Sequence, residues 1–152
     1  MFEIERKFLV DKSKWIPAVK GEKILQGYLS TDKERVVRVR TKGEKAFLTI
    51  KGKMEGITRS EFEYEIPVDE ALLLLKMCLN HPIEKTRYKE LHQGKWWEID
   101  VFEGDNKGLV LAEIELQQED ESVQLPEWTT EEVTHDLRYY NSYMSRTPYS
   151  LW

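Results

Sequence analysis

The chain has 152 residues, which is enough for one domain with a substantial core and too few for two ordinary domains. We therefore predict a single domain over residues 1–152. Charged residues make up 34% of the chain and the formal net charge is -5, which excludes a general nucleic-acid-binding surface, so any anion site must be local. Cys78 is the only cysteine, which excludes an intrachain disulfide; since no apolar run approaches the roughly 18 residues of a membrane span, we expect a soluble cytoplasmic protein.

The first ten residues predict a β-strand with an unusual polar face. With a period of two, Glu3, Glu5 and Lys7 share one side, and the opposite side is mostly apolar, with Phe2, Ile4, Phe8 and Val10. Two carboxylates and an ammonium group on one face can hold a metal cation and an anion together. This composition is typical of a site and not of a core.

Four further strands are predicted at residues 22–30, 34–41, 45–53 and 58–66. The short links between them favour antiparallel pairing, and Lys42-Gly43-Glu44 is a hairpin signal. Gly27, inside the second strand, predicts a bulge or a close backbone approach.

A helix is predicted over residues 71–79, with Asp69 as a candidate cap. Because it is apolar nearly all round, we expect it to be substantially buried. Strands at 83–91, 95–102 and 109–117 bring the total to about eight, enough to close a barrel. A capping-box pattern from Thr129 to Glu132 predicts a short helix, and a second helix is expected at about 138–145.

Nearly every predicted strand repeats the alternation of the first. The charged members of these pairs are Arg38 and Arg40, Lys51 and Lys53, Glu61 and Glu63, Lys85 and Arg87, Glu98 and Asp100, and Glu113 and Glu115. A sandwich or a helix-covered sheet with solvated charged faces would give the same alternation. Charge is nevertheless sorted by strand, acids on some and bases on others, whereas a solvated face more often mixes both signs.

If the charged faces point inward, the interior holds seven cations and eight carboxylates. Buried charges must be paired or matched by a ligand. A polyanion with a divalent cation satisfies both sets, because guanidinium and ammonium groups bind phosphoryl oxygens while clustered carboxylates bind Mg²⁺ or Mn²⁺. A chain of phosphates therefore fits this interior better than a monoanion does.

Glu3-Ile4-Glu5-Arg6-Lys7 resembles the ExExK signature of the CYTH superfamily, the triphosphate tunnel metalloenzymes. The other charged pairs follow in the order of that family, and the Tyr139-Tyr140-Asn141 segment is similar to its C-terminal helix, which plugs or flanks the tunnel. The resemblance implies an α+β, mainly β fold: an eight-stranded antiparallel barrel, or tunnel, with a few flanking helices.

The resemblance also implies site residues and a Mg²⁺ or Mn²⁺ cofactor. The metal ligands would come from Glu3, Glu5, Glu63, Asp100, Glu113 and Glu115. The triphosphate would be bound by Lys7, Arg38, Arg40, Lys51, Lys53, Lys85 and Arg87. We predict catalytic roles for Glu5, Lys7, Lys85 and Glu115 in the hydrolysis of a terminal phosphoanhydride, with a carboxylate or the metal activating the attacking water.

Three functions remain open at this point. The first is an inorganic triphosphatase acting on tripolyphosphate. The second is a thiamine or nucleotide triphosphatase, or a class IV adenylyl cyclase, for which Trp15, Trp96, Trp97 and Trp128 could stack on a ring. The third is a non-catalytic polyphosphate or nucleotide sensor. The exterior is rich in apolar residues that two or three short helices cannot cover, so a homodimer is also expected.

Overall fold

The computed structural model describes all residues from Met1 to Trp152 and contains nine β-strands and two α-helices. The strands are β1 (Phe2–Val10), β2 (Glu22–Ser30), β3 (Val36–Lys42), β4 (Lys45–Lys51), β5 (Thr58–Ile66), β6 (Leu79–His92), β7 (Lys95–Phe102), β8 (Val110–Glu115) and β9 (Thr129–Glu132). The helices are α1 (Val68–Lys76) and α2 (Asn141–Met144), and short 3-10 turns lie at Gly104–Asn106, Leu137–Tyr139 and Tyr149–Leu151. None of the helices is both long and apolar enough to cross a membrane.

Eight of the strands form a closed antiparallel barrel in the order β1-β5-β4-β3-β2-β6-β7-β8, with β8 returning to β1. The seam between β1 and β5 is short and consists of three residue pairs, from Phe2 opposite Ser60 to Ile4 opposite Thr58. Closure leaves no free edge among these eight strands. The predicted eight-stranded barrel is confirmed.

The charged faces point inward, as predicted. Lys7, Lys85, Arg87 and Glu113 are each at most 8% exposed, although they alternate along the strands with apolar residues that pack elsewhere. Towards one end, the inward positions become apolar. On β8, Leu111 lies two residues before Glu113 on the same face, and the buried cluster there also contains Tyr28, Val36, Ile83, Phe102, Leu109, Val133, Tyr139 and Met144. Apolar side chains therefore fill one end of the barrel, and the other end holds the charged cavity.

A second core covers the outside of β1, β7 and β8. Trp97 is fully buried and packs edge-on against Phe8 and Trp128. Trp15, in the turn after β1, joins this cluster, whereas Trp96 is 60% exposed. The tryptophans considered as stacking platforms for an organic ring thus lie in the outer core or on the surface, and none lines the charged cavity.

The prediction of a helix at Thr129 is wrong. Residues Thr129–Glu132 form β9, which pairs with β1 through Phe8 opposite Glu132 and Val10 opposite Thr129. Arg6 donates two hydrogen bonds to the Glu132 carboxylate, so Glu132 pairs across strands and does not cap a helix. Tertiary pairing with β1 overrides the local capping pattern.

Helix α1 begins earlier than predicted and is less buried. Asp69 forms no side-chain cap, and only Ala71 and Leu75 are buried, while Leu72 and Leu73 are 49% and 61% exposed. The expectation of a substantially buried helix is therefore wrong, because α1 packs only one face against the outside of the barrel. The chain re-enters the sheet at Leu79, within the predicted helix, so β6 is longer than expected.

Gly27 makes the close approach that the sequence predicts. A Cβ atom at this position would lie 2.8 Å from the Cys78 sulfur, and the pairing of β2 with β6 shifts register between Gln26 and Tyr28. The C-terminal helix predicted at 138–145 is split into the Leu137–Tyr139 turn and α2, with an extended Tyr140 between them.

Candidate active site in the barrel interior

The charged end of the barrel holds a cavity of about 220 Å³. Only three of its twenty lining residues are hydrophobic. Eight cationic residues and seven glutamates line it, namely Lys7, Arg38, Arg40, Lys42, Lys51, Arg59, Lys85 and Arg87 with Glu3, Glu5, Glu61, Glu63, Glu98, Glu113 and Glu115. This near balance of charge makes the closed interior tolerable without a ligand.

The two signs of charge occupy different walls. Strands β4, β3, β2 and β6 are contiguous in the barrel and contribute only cations and neutral groups to the cavity, whereas β7, β8, β1 and β5 contribute all of the glutamates. We call these the basic wall and the acidic wall. Lys7 and Arg59 are the cations on the acidic wall.

Arg38 and Arg40 are the least satisfied cations of the basic wall. Their Nε atoms are buried without a hydrogen-bond partner, and both guanidinium groups reach the Glu63 carboxylate only at 3.4 and 3.5 Å. Burial, together with the positive charges of Arg38 and Arg87, lowers the pKa of Arg40 to about 10. Buried guanidinium groups that are only weakly paired are suited to binding an anion.

Lys85 and Arg87 have a buried partner in Asp100. Arg87 donates two hydrogen bonds to the Asp100 carboxylate, at 2.7 and 2.8 Å, and the Lys85 ammonium lies 2.9 Å from it. Burial lowers the pKa of Lys85 to about 8, although the Asp100 charge opposes this shift. Asp100 is 1% exposed and is not among the cavity-lining residues. Asp100, which the sequence predicts as a metal ligand, therefore lies outside the cavity lining and holds Arg87 and Lys85 in place.

The acidic wall brings together four glutamates from β1 and β8. Glu5 lies directly opposite Glu115 in the register of these strands, and Lys7 lies opposite Glu113. The Lys7 ammonium bonds Glu5 at 2.9 Å and Glu113 at 3.2 Å. Although burial opposes it, the charges of Glu113 and Glu5 raise the pKa of Lys7, so this side chain stays cationic.

Glu115 is the exception on this wall, because it forms no salt bridge with a cation. Burial and the neighbouring charges of Glu3 and Glu5 raise its pKa. Like charges directly opposite in adjacent strands destabilise a sheet. The pair of Glu5 and Glu115 therefore destabilises the empty protein, and a bound cation between the two carboxylates would relieve their repulsion.

Glu3 is held by cations from two strands at the barrel seam. Lys51 bonds it at 2.8 Å and Arg59 at 3.2 Å, and although burial opposes them, these charges hold the pKa of Glu3 well below its usual range. Glu61 shares a hydrogen bond with Glu3, and burial together with this neighbour raises the pKa of Glu61 to about 7. Glu61 can therefore hold a proton near neutral pH.

The donor chemistry of the acidic wall fits a hard divalent cation. Glu3, Glu5, Glu113 and Glu115 supply only carboxylate oxygens, the ligands that Mg²⁺ and Mn²⁺ prefer. No three of these carboxylates converge closely enough to hold an ion, because Lys7 lies between Glu5 and Glu113. Glu63 lies on β5, at the edge of the acidic wall next to β4, where it accepts a hydrogen bond from Thr49 at 2.8 Å and faces the arginines.

Most predicted site residues line this one cavity. The exceptions are Asp100 and Lys53, which is exposed beyond the end of β4 and does not reach the interior. The prediction that Lys53 faces the interior is wrong, because β4 ends at Lys51 and the alternation stops there. Sequence reasoning missed Arg59 and Lys42, although each lies two residues from a predicted inward residue, and it missed Tyr28, which no charge pattern marks.

The segment around α2 closes one side of the cavity through Tyr140, Asn141 and Ser142. The Tyr140 ring lies 5.1 Å from the Lys7 ammonium and 5.8 Å from the Arg59 guanidinium carbon, and its hydroxyl donates to the Thr134 carbonyl at 3.1 Å. The expectation that this segment flanks the tunnel is confirmed.

Comparison with known proteins gives a match to the CYTH domain over residues 1–147. An inorganic triphosphatase of Acetivibrio thermocellus is 47% identical over 148 residues, covering 97% of this chain and 95% of the relative. An inorganic triphosphatase of Nitrosomonas europaea is 38% identical over 147 residues, covering 93% and 95%.

Solved structures give the same result. The crystal structure of an inorganic triphosphatase superposes with a TM-score of 0.66 at 36% identity, covering 94% of this chain and 93% of that one. A putative adenylate cyclase from Bacillus halodurans has a TM-score of 0.63 at 18% identity, covering 78% and 82%. At that identity the second likeness concerns the fold alone.

Proposed function

Because this chain belongs to the CYTH family, we propose that it is a divalent-metal-dependent triphosphatase that hydrolyses inorganic tripolyphosphate and releases phosphate. Two relatives, 47% and 38% identical to this chain over nearly its whole length, are both inorganic triphosphatases, and CYTH triphosphatases are generally dependent on a divalent metal. We further propose Mg²⁺ or Mn²⁺ as the metal and the cytoplasm, where the single cysteine stays reduced, as the location.

The observation that best supports this proposal is the division of the cavity into a basic and an acidic wall. Arg38 and Arg40 line one side with no carboxylate closer than 3.4 Å, and Glu5 and Glu115 oppose one another on the other. A phosphate chain with a divalent cation meets both needs at once. Neither ligand alone would do so.

In the proposed site, each group has a distinct task. Arg38, Arg40, Arg87 and Lys51 bind and orient the phosphoryl oxygens. Glu3, Glu5, Glu113 and Glu115 would hold the metal, which when bound would neutralise negative charge on the phosphates and polarise the bond that breaks. Glu63 and Asp100 hold the arginines and Lys85 in position.

The two catalytic lysines differ in pKa. Lys7 stays cationic and stabilises the charge that develops on the transferring phosphoryl group. Lys85, with a pKa lowered to about 8, can take or give a proton near neutral pH, which is the property of a general acid or base. Glu115, whose pKa is raised and which forms no salt bridge, is a carboxylate that can accept a proton from the attacking water.

An organic triphosphate is less well supported. Apart from Val36, the hydrophobic members of the lining are Tyr28 and Tyr140, and the Tyr140 ring already contacts Lys7 and Arg59. The cavity therefore offers a phosphate chain many partners and offers a base or a thiazole ring few.

The experiment is phosphate release from tripolyphosphate, compared with ATP and thiamine triphosphate, with and without Mg²⁺ or Mn²⁺. We expect metal-dependent turnover that is fastest with tripolyphosphate. Faster turnover of an organic triphosphate would change the substrate, and tight binding without turnover would indicate a sensor. The Glu5→Ala variant should lose metal-dependent turnover and keep its fold; full activity in this variant would contradict the metal assignment.

We also propose that the protein forms a homodimer. Leu72 and Leu73 of α1 and Met77 directly after it are 49% to 69% exposed, and Phe62 and Tyr64 on the outside of β5 are 40% and 56% exposed. Apolar exposure of this kind is typical of an interface. Light scattering should give twice the 18.1 kDa chain mass, and Leu73→Glu should reduce it to one chain; a monomeric wild-type protein would refute the proposal.

A further inference from the structure

Asn141, the first residue of α2, lies at the cavity wall, and its side-chain oxygen accepts two hydrogen bonds. Its Oδ1 accepts a hydrogen bond from the Lys85 ammonium at 3.0 Å and another from Gln26 Nε2 at 2.9 Å. Lys85 and Gln26 belong to the barrel, and Asn141 belongs to the C-terminal segment. This side chain therefore joins the two parts of the molecule at the cavity.

These contacts fix which way the Asn141 amide faces. An ammonium group can only donate hydrogen bonds, so a flipped amide would direct its NH₂ group at Lys85. Gln26 is fully buried, and its Nε2 also donates to the Tyr28 hydroxyl at 3.1 Å while its Oε1 has no partner. Gln26 thus faces Asn141 with its donor, in agreement with the amide orientation that the Lys85 ammonium requires.

The consequence is a hydrogen-bond donor without a partner. With Oδ1 facing Lys85 and Gln26, the Nδ2 group of Asn141 makes no hydrogen bond within the protein, whereas the residue lines a cavity rich in cations. A neutral NH₂ group can bind a phosphoryl oxygen without adding to the repulsion among the buried cations.

We propose that Asn141 is a further substrate-binding residue, whose Nδ2 donates to a phosphoryl oxygen of the triphosphate while Lys85 and Gln26 hold the amide in this orientation. The inference rests on the proposed function, since it requires a phosphate chain in the cavity. It makes the C-terminal segment part of the substrate-binding surface, and not only a covering of the barrel.

The test measures binding and not turnover. The dissociation constant of a non-hydrolysable triphosphate analogue is determined with Mg²⁺ by calorimetry for the wild-type protein and for Asn141→Leu and Asn141→Ala. We expect both variants to bind roughly 10-fold more weakly or worse, as is typical for the loss of a hydrogen bond to a charged acceptor. Tyr143→Phe is the matched control on the same helix, because the Tyr143 hydroxyl lies outside the cavity lining, and it should bind like the wild type.

A second comparison separates direct contact from an effect through Lys85. In a Lys85→Met background, Asn141 no longer has an ammonium group to position. Direct donation predicts that Asn141→Leu still weakens binding several-fold in that background. Gln26 still donates to Asn141 Oδ1 in this background, so if Asn141→Leu has no effect there, Asn141 acts only by positioning Lys85 and the proposal is overturned.

The two levels of inference fail differently. A wild-type protein that neither binds the analogue nor hydrolyses tripolyphosphate overturns both the proposed function and the role of Asn141. A wild-type protein that does both, with variants at Asn141 that bind equally well and melt at the same temperature, overturns only the role of Asn141.

Discussion

At the level of single residues, Arg40 shows that a group placed for binding can lower the stability of the folded protein. It is 7% exposed, its Nε lacks a partner, and its nearest carboxylate is 3.5 Å away. A buried cation without a close partner is costly for a folded protein. This loss of stability is explained if the partner of the Arg40 guanidinium is a phosphoryl group of the substrate.

Replacing Arg40 should therefore separate function from stability. We expect Arg40→Met to lower kcat/KM for tripolyphosphate by roughly 10- to 100-fold, since hydrogen bonds to charged groups contribute about 1.5–3 kcal/mol. Without substrate, its melting temperature should stay the same or rise, because repulsion from Arg38 and Arg87 is relieved. Arg35→Met is the control, since Arg35 is exposed and pairs with Asp32. Unchanged catalytic efficiency would remove Arg40 from the site.

Glu61 predicts a pH dependence of stability. Its pKa is raised from 4.5 to about 7 in the folded protein by burial and by Glu3, so the folded state binds the proton more tightly than the unfolded state. The associated stability is present below pH 4.5 and is lost as pH rises through about 7.

The Glu61→Gln variant tests this directly, because an amide resembles the protonated carboxyl group. At pH 4.5 we expect wild type and variant to melt at similar temperatures, and at pH 8 the variant should be the more stable. Thermal unfolding followed by circular dichroism across this range, without metal, measures the difference. A difference that does not change with pH would show that Glu61 is not protonated near neutrality.

At the level of elements, Gly27 shows how α1 is fitted to the barrel. A Cβ atom there would lie 2.8 Å from the Cys78 sulfur and 3.3 Å from the Leu75 side chain. We expect Gly27→Ala to destabilise the protein by about 1–3 kcal/mol through overpacking. The cost should shrink in a Cys78→Ala background, because the nearest contact is removed. Denaturant unfolding of the four proteins gives this coupling, and an equal cost in both backgrounds would refute the steric explanation.

The elements also show the limits of local sequence patterns. Alternation located most of the barrel strands because one face of each is charged and the other apolar; β2, which contributes only Tyr28 to the cavity lining, has no such charged face. It could not show that Thr129–Glu132 is a strand, since that assignment depends on the distant partners Phe8 and Arg6. For α1, composition indicated burial, but which helix face meets the barrel depends on tertiary packing around Ala71 and Leu75.

For the site, sequence reasoning succeeded where chemistry follows a period of two and failed elsewhere. Arg38, Arg40 and Glu113 could be assigned because each has a charged neighbour two residues away. Asn141 is an uncharged residue on a four-residue helix, and its importance follows only from the approach of Lys85. Asp100 lies on the same face of β7 as Glu98. It does not line the cavity as Glu98 does, because its carboxylate is buried against Arg87 and Lys85.

At the level of the whole molecule, closure of the barrel turns eight amphipathic strands into two opposed charged walls. Each wall concentrates charges of mainly one sign. The charges of the two walls compensate each other across one cavity. A phosphate chain alone would satisfy the basic wall and add negative charge beside the acidic wall. A divalent cation alone would do the reverse. The two ligands should therefore bind cooperatively.

Thermal stability measures this cooperativity, because a ligand that binds only the folded state stabilises it, by about 2.7 kcal/mol at 100 times its dissociation constant. We expect Mg²⁺ alone and a non-hydrolysable triphosphate alone each to raise the melting temperature slightly, and the two together to raise it by more than the sum. Sulfate at equal ionic strength controls for screening. In Glu5→Gln the excess over the sum should disappear while the effect of the triphosphate alone is kept or strengthened, because one carboxylate charge is removed. Additive shifts in the wild-type protein would show that the two walls do not act on a common ligand pair.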